Sequence, residues 1–235
     1  MPRQPRFWFS GMVLHVVQRG HNRAAIFEGD VDRRFYLRCL ADVAMTHGVA
    51  IHAYVLMTNH VHLLVSPATS ESMPRAIQSL GRRYVGWYNH VHSRTGTLWD
   101  GRYKAALVDS EAYLLTCMRY IEQNPVRAGM VDTPEAFPWS SYRANALGDT
   151  DALIVPHDVY AQLGRDPSVR QAHYRQSFGH VLDQKMLQTI RDASRFEWAI
   201  GDVAFCRTVE GTTGRRMERM PMGPRPYANE RKRVE

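Results

Sequence analysis

At 235 residues the chain can bury a full hydrophobic core, either as one domain with an appendage or as two small domains. It is 44% hydrophobic and 23% charged, an ordinary globular composition, and 30 Lys and Arg against 23 Asp and Glu leave a net charge of +7 that favours a polyanionic partner such as nucleic acid. Cys39, Cys117 and Cys206 stand far apart and outside any CxxC spacing, which excludes a disulfide framework and a cysteine-rich zinc site; MPRQPRFWFS has no long apolar core and no window nears about 18 apolar residues, so a soluble, cytoplasmic protein without signal peptide or membrane span is expected.

Residues 12–18 (MVLHVVQ) are apolar and β-branched and read as a strand running into the basic turn RGHNR. Asp30 is expected to cap a helix over 31–47, with Tyr36, Leu40 and Val43 on one face and Gly48 as its stop. AIHAYVLM (50–57) and HVHLLV (60–65), separated by Thr58 and Asn59, predict a β-hairpin. Met73, Ile77, Leu80, Tyr84, Trp87 and Val91 set the apolar stripe of a helix over 73–92. YKAALV (103–108) is a further strand, and Ser110 opens a helix with Leu114, Cys117, Met118 and Ile121 as its stripe, ending near Pro125. The order β, α, β, β, α, β, α predicts an α+β fold, a mostly antiparallel, ferredoxin-like sheet with helices packed on it. Past FPWSSYRA (137–144) the texture turns to short helical patches, so a boundary is placed near 148: residues 149–214 are expected as a helical extension and 215–235, with seven Arg or Lys and three Glu, as a flexible basic tail.

His60-Val61-His62 carries the most chemistry. On a strand, residues i and i+2 share a face, so both imidazoles can reach one cation while Val61 points to the core. The pair also suits two polar side chains on a half-exposed strand. His90-Val91-His92 repeats the letters, but on a helix its histidines diverge by about 200° and cannot chelate. Two imidazoles under-coordinate a metal, and Tyr120 with Asn124, at i, i+4 on one helix, offer a phenol and an amide oxygen one turn apart. Tyr120 also fits the edge of a helix stripe, and Asn124 a helix terminus before Pro125.

The segments HVVQRGHNRAAIF (15–27), AYVLMTNHVHLLV (53–65), LWDGRYKAALV (98–108), YLLTCMRYIEQNPVRAGMV (113–131) and PWSSYRA (138–144), in this order over about 8–145, resemble the single-tyrosine HUH transposases, and more narrowly the REP-associated tyrosine transposases of bacterial chromosomes. The resemblance implies an RRM-like fold for a transposase domain over 1–148, with His60 and His62 as the paired histidines, Tyr120 as nucleophile and Asn124 at the third ligand position. It also implies single-stranded DNA with hairpins as partner, a 5′-phosphotyrosine intermediate and a nucleoid-associated bacterial protein. A phenol with a reference pKa near 10 is roughly 0.1% ionised at pH 7, so it needs help to attack a phosphodiester. Nitrogen and oxygen donors without thiolate point to Mg2+ or Mn2+ as the cofactor.

Arg19, His21, Asn22 and Arg23 in the first loop, and Arg82, Arg83, Arg102, Lys104, Arg119 and Arg127 elsewhere, are the candidate DNA contacts, each of which also fits a solvated charge. Trp87, Tyr88 and Trp99 fit core packing better than stacking on bases. Two other readings stay open: a non-cleaving hairpin-binding regulator, and a metal hydrolase that leaves Tyr120 idle. The second half is expected to tune affinity and not chemistry. The chain is expected to act as a monomer or homodimer.

Overall fold

The computed structural model describes residues 11–217, so most of the expected basic tail, 218–235, lies outside the described residues. The apolar run after Gly11 forms β1 (Val13–Arg19), and a single 3-10 turn, His21–Arg23, follows it. Helix α1 (Asp30–His47) comes next, then the hairpin β2 (Val49–Met57) and β3 (His60–Pro67), α2 (Ser72–Val91) and β4 (Lys104–Val108). The chain continues through α3 (Ser110–Glu122) and the short α4 (Asn124–Arg127). The second half supplies α5 (Asp158–Ala161), α6 (Pro167–Gln176), α7 (Gln184–Phe196), β5 (Ala199–Ile200) and α8 (Val203–Thr213).

The strands form one sheet in the order β2-β3-β1-β4-β5. Its first four strands are antiparallel, and β5 pairs parallel with β4 through Leu107↔Ala199 and Val108↔Ile200, so the sheet is mixed. Alternation along each strand divides the core in two. Leu14, Val16, Val61, Leu63 and Val65 face α1 and α2, whereas Val13, Val55, Leu64, Ala106 and Val108 share the opposite cluster with Leu114, Cys117, Met118 and Ile121 of α3. The α3 stripe expected from its spacing is thus buried, each such side chain contributing about 1.5–3 kcal/mol. Trp99 and Tyr88 are buried, and Trp87 stacks on Phe35 with ring centroids 4.3 Å apart.

Several local expectations change. Asp30 does not cap α1; the N-cap is Gly29, and the buried Asp32 accepts hydrogen bonds from the Glu28 and Gly29 amides, because its oxygen reaches back over the first turn. Asp109, not Ser110, is the N-cap of α3. Val91 is 49% exposed and so falls outside the buried stripe expected for α2, and the next residue, His92, lies 2.9 Å from Asp32. Helix α3 stops at Glu122, and a new turn starts at Asn124 with Pro125 in its first positions, where the missing proline N–H costs nothing.

The second half is mainly helical and is tied to the first by polar contacts as well as by β5. The Glu122 carboxylate, fully buried, accepts hydrogen bonds from Ser141 Oγ (2.6 Å), Asn145 Nδ2 (2.8 Å) and Tyr174 OH (2.7 Å). Burial pushes its carboxyl up to about 7. His52 sits at the register shift in β2 and bridges Ser66 Oγ to the Val155 carbonyl.

Candidate active site

The paired histidines lie where β3 follows its turn, opposite the outer residues of β1: His60 stands across from Arg19 and His62 across from Val17. Val61 enters the α1/α2 core, so both imidazoles project from the other face, with ring centroids 5.0 Å apart. His60 Nδ1 lies 2.7 Å from Asn59 Oδ1, an acceptor, so Nδ1 carries the proton and Nε2 keeps its lone pair. Asn59 also donates from Nδ2 to the Arg23 carbonyl and accepts from the Gly20 amide, which clamps the first loop to the hairpin turn. Only glycine fits at position 20, since a Cβ there would lie 2.3 Å from the Ala24 oxygen.

Helix α3 brings Tyr120 to the same place. Its ring stands edge-on to His62 with centroids 6.0 Å apart, and edge-on to His15 at 5.8 Å. The Arg127 guanidinium lies 4.4 Å from the centre of the Tyr120 ring and donates to the Tyr120 carbonyl, so one arginine holds both ends of the residue. Burial lowers the Arg127 pKa to about 10, which leaves it charged at neutral pH. Asn124 lies beyond the break in the helix, and its buried Nδ2 has no hydrogen-bond partner. A buried amide left so costs about 1–3 kcal/mol; Arg119 Nε and one terminal nitrogen of Arg127 in the same segment are likewise unpaired.

Two imidazole nitrogens and the Oδ1 of Asn124 are donor types that suit a divalent cation taking its remaining oxygens from DNA phosphate and water; the unpaired Nδ2 donates and does not itself ligate. Among the described residues no group of three or more His, Cys, Asp or Glu side chains is placed to hold a metal ion.

The other sequence candidates divide. Arg19, His21, Asn22 and Arg23 are exposed around the turn beside His60. Lys104 pairs with Val17 on the histidine face, and its Nζ donates to the Arg195 carbonyl. Arg102 is exposed just before β4. Arg82 and Arg83 belong to α2, on the opposite side of the sheet, and Arg83 is occupied by Asp42 at 2.8 Å. Arg119 turns away to the His180 carbonyl and the Phe178 ring. Sequence reasoning missed His15, although a histidine inside a β-branched run is a signal, because a buried imidazole must find a partner. It is fully buried and lies nearly coplanar with His62, with its Nε2 2.8 Å from His62 Nδ1, centroids 5.0 Å apart and planes 17° from parallel.

The IS200-like transposase family model matches residues 9–124, a span that takes in His15, His60, His62, Tyr120 and Asn124. Residues 9–124, about half of the chain, are thus similar to the IS200-like transposases. The transposase fold is also that of a REP-associated tyrosine transposase solved bound to a REP hairpin, with a TM-score of 0.53 and 16% identity over 68% of this chain and 93% of that one. A crystallised protein of Deinococcus radiodurans R1 described as a candidate transposase aligns over 52% of this chain and 97% of its own, at 20% identity and a TM-score of 0.37. Comparison with curated protein sequences gave no match. Among the described residues no helix of the transposase is long and apolar enough to cross a membrane.

The buried histidines are expected to make the protein acid-sensitive. Desolvation lowers His15 to about 3 and His60 to about 4, and puts His62 well below its ordinary value, helped by the charges of Arg127 and Arg19. All three are neutral when folded and take protons near 6.5 when unfolded. Their stabilisation is therefore complete above about pH 6.5 and is lost as pH falls towards 4, at up to about 1.4 kcal/mol per pH unit for each. The urea midpoint of the metal-free protein is expected to fall clearly between pH 7 and pH 5; an unchanged midpoint means that these rings are hydrated.

Proposed function

We propose that this chain is a divalent-cation-dependent nuclease and strand transferase of the REP-associated tyrosine transposase type, acting on single-stranded DNA beside hairpins through a 5′-phosphotyrosine. The observation that carries the reading is the Tyr120 ring set 6.0 Å from His62, on the sheet face to which both histidines point. The binding of a REP hairpin by the structural neighbour supports the substrate class. On this reading the chain acts on chromosomal DNA, in the bacterial cytoplasm at the nucleoid.

The residues divide the work. Arg19 and the turn His21–Arg23 offer exposed donors for phosphates at the base of the hairpin, and Lys104 extends the basic edge along β4. His60, His62 and Asn124 would hold the cation, Mg2+ or Mn2+, which when bound polarises the scissile phosphate and stabilises the departing oxygen. Tyr120 Oη attacks phosphorus; the phenol loses its proton to solvent, the bond to the 3′ oxygen breaks, and that oxygen leaves as a 3′ hydroxyl after taking a proton. Arg127, charged and beside the phenol ring, favours the negative charge that develops there. The phosphotyrosyl ester keeps the energy of the broken phosphodiester, so a second 3′ hydroxyl reseals the strand in the reverse step.

The test is incubation of the protein with labelled single-stranded hairpin DNA and Mn2+, read on a denaturing gel. A protein–DNA adduct that survives denaturation and disappears with chelator is expected. Cleavage without an adduct would show a hydrolase, and tight hairpin binding with neither product would show a regulator; both overturn the proposal.

A further inference from the structure

His15 lies between the paired histidines and the second half of the chain, and its hydrogen bonds have a fixed direction. Ser194, on α7, places Oγ 2.7 Å from the Ile190 carbonyl and 3.0 Å from His15 Nδ1. A carbonyl oxygen only accepts, so the single hydroxyl proton of Ser194 is committed to Ile190, and towards His15 the Ser194 oxygen can only accept. His15 Nδ1 therefore carries a proton. A neutral imidazole has one N–H, which leaves His15 Nε2 as a lone pair, and that atom lies 2.8 Å from His62 Nδ1. His62 must donate across this contact, so its proton sits on Nδ1 and its Nε2 is bare. The opposite tautomer of His62 would put N–H where the cation binds.

We infer that Ser194 and His15 are positioning residues that lock His62 in its cation-accepting tautomer, which makes α7, from the far half of the chain, part of the metal site. The inference rests on the proposed function for the role of the cation, but the hydrogen-bond relay itself does not. The two rings lie 17° from parallel, so the same hydrogen bond also holds the plane of the His62 ring. The relay also places Arg195 and the Phe196–Trp198 ring stack, with centroids 4.6 Å apart, directly after the serine that touches the site.

The experiment compares the full-length wild type with Ser194→Ala and Ser194→Thr by two readouts that need no DNA: side-chain 15N spectra of histidine-labelled protein, and Mn2+ titration calorimetry. In the wild type both His15 and His62 are expected to show N–H at Nδ1. Ser194→Ala removes the acceptor, so a mixture of tautomers should appear at both rings and Mn2+ affinity should fall 10- to 100-fold. Ser194→Thr keeps the hydroxyl and should restore both. Unchanged spectra and unchanged Mn2+ affinity in Ser194→Ala would overturn the inference. A shift in tautomers in a protein that binds no Mn2+ even as wild type would leave the relay standing and sink the cation in the proposed function.

Discussion

Tyr120→Phe is expected to abolish the covalent adduct while leaving hairpin affinity and thermal stability as they are. The substitution removes one oxygen and keeps the ring, and the ring makes the packing contacts: edge-on to His15 and His62, and under the Arg127 guanidinium. A phenylalanine ring satisfies all three, so the helix keeps its seat on the sheet. Without the oxygen the phosphorus has no protein nucleophile, and losses for a removed nucleophile run on the order of 10^3-fold or far beyond. Gel detection of adduct, hairpin affinity by anisotropy and the melting midpoint are the three measurements. An adduct formed by Tyr120→Phe would move the nucleophile to another residue. A large drop in midpoint would show instead that the hydroxyl is structural.

Glu122→Ala is expected to cost roughly 3–6 kcal/mol of stability, because it strands three buried donors at once, at about 1–3 kcal/mol each before relaxation. For a chain of this size about 2–4 °C of melting midpoint accompanies each kcal/mol, so a fall of roughly 10 °C is the expected reading. Glu122→Gln keeps an oxygen for Ser141 and Asn145 and should cost much less. It also tests the charge. The carboxyl is pushed up to about 7 by burial, above its unfolded value, so the stabilisation from its proton is complete below about pH 4.5 and is lost as pH rises to about 7. Glutamine never ionises; the stability of Glu122→Gln relative to wild type should therefore improve as pH rises from 4.5 to 7, and a difference that stays flat would show that the carboxylate is not desolvated. Because Glu122 is only two residues from Tyr120 at the end of α3, Glu122→Ala should lower adduct yield as well.

The parts of the site that were legible in the sequence are those set by local periodicity. Alternation on a strand put His60 and His62 on one face, and a 3–4 spacing buried Leu114, Cys117, Met118 and Ile121, which turns Tyr120 towards the histidines. The α3 ending was visible in Pro125, although the break falls at Gln123, between Tyr120 and Asn124. What stayed hidden depends on pairing between distant segments. Two residues, Ala199 and Ile200, are too short a run to read as a strand, and only the neighbouring β4 makes them one. Arg83 looked like a free cation until the packing of α1 on α2 brought Asp42 to it. Ser194 has no local signal at all, since its partner is 179 positions away.

The sheet edge closes with its last segment: β5 comes from residues 199–200 and lies beside β4, which ends at 108. A growing polypeptide on the ribosome holds His60, His62 and Tyr120 long before it can add that strand or the helix ahead of it. Pairing across so large a sequence separation is slow to form, so β5 is expected to join the sheet late. Emerging chains and prematurely terminated ones thus lack both β5 and the α7 serine that meets His15.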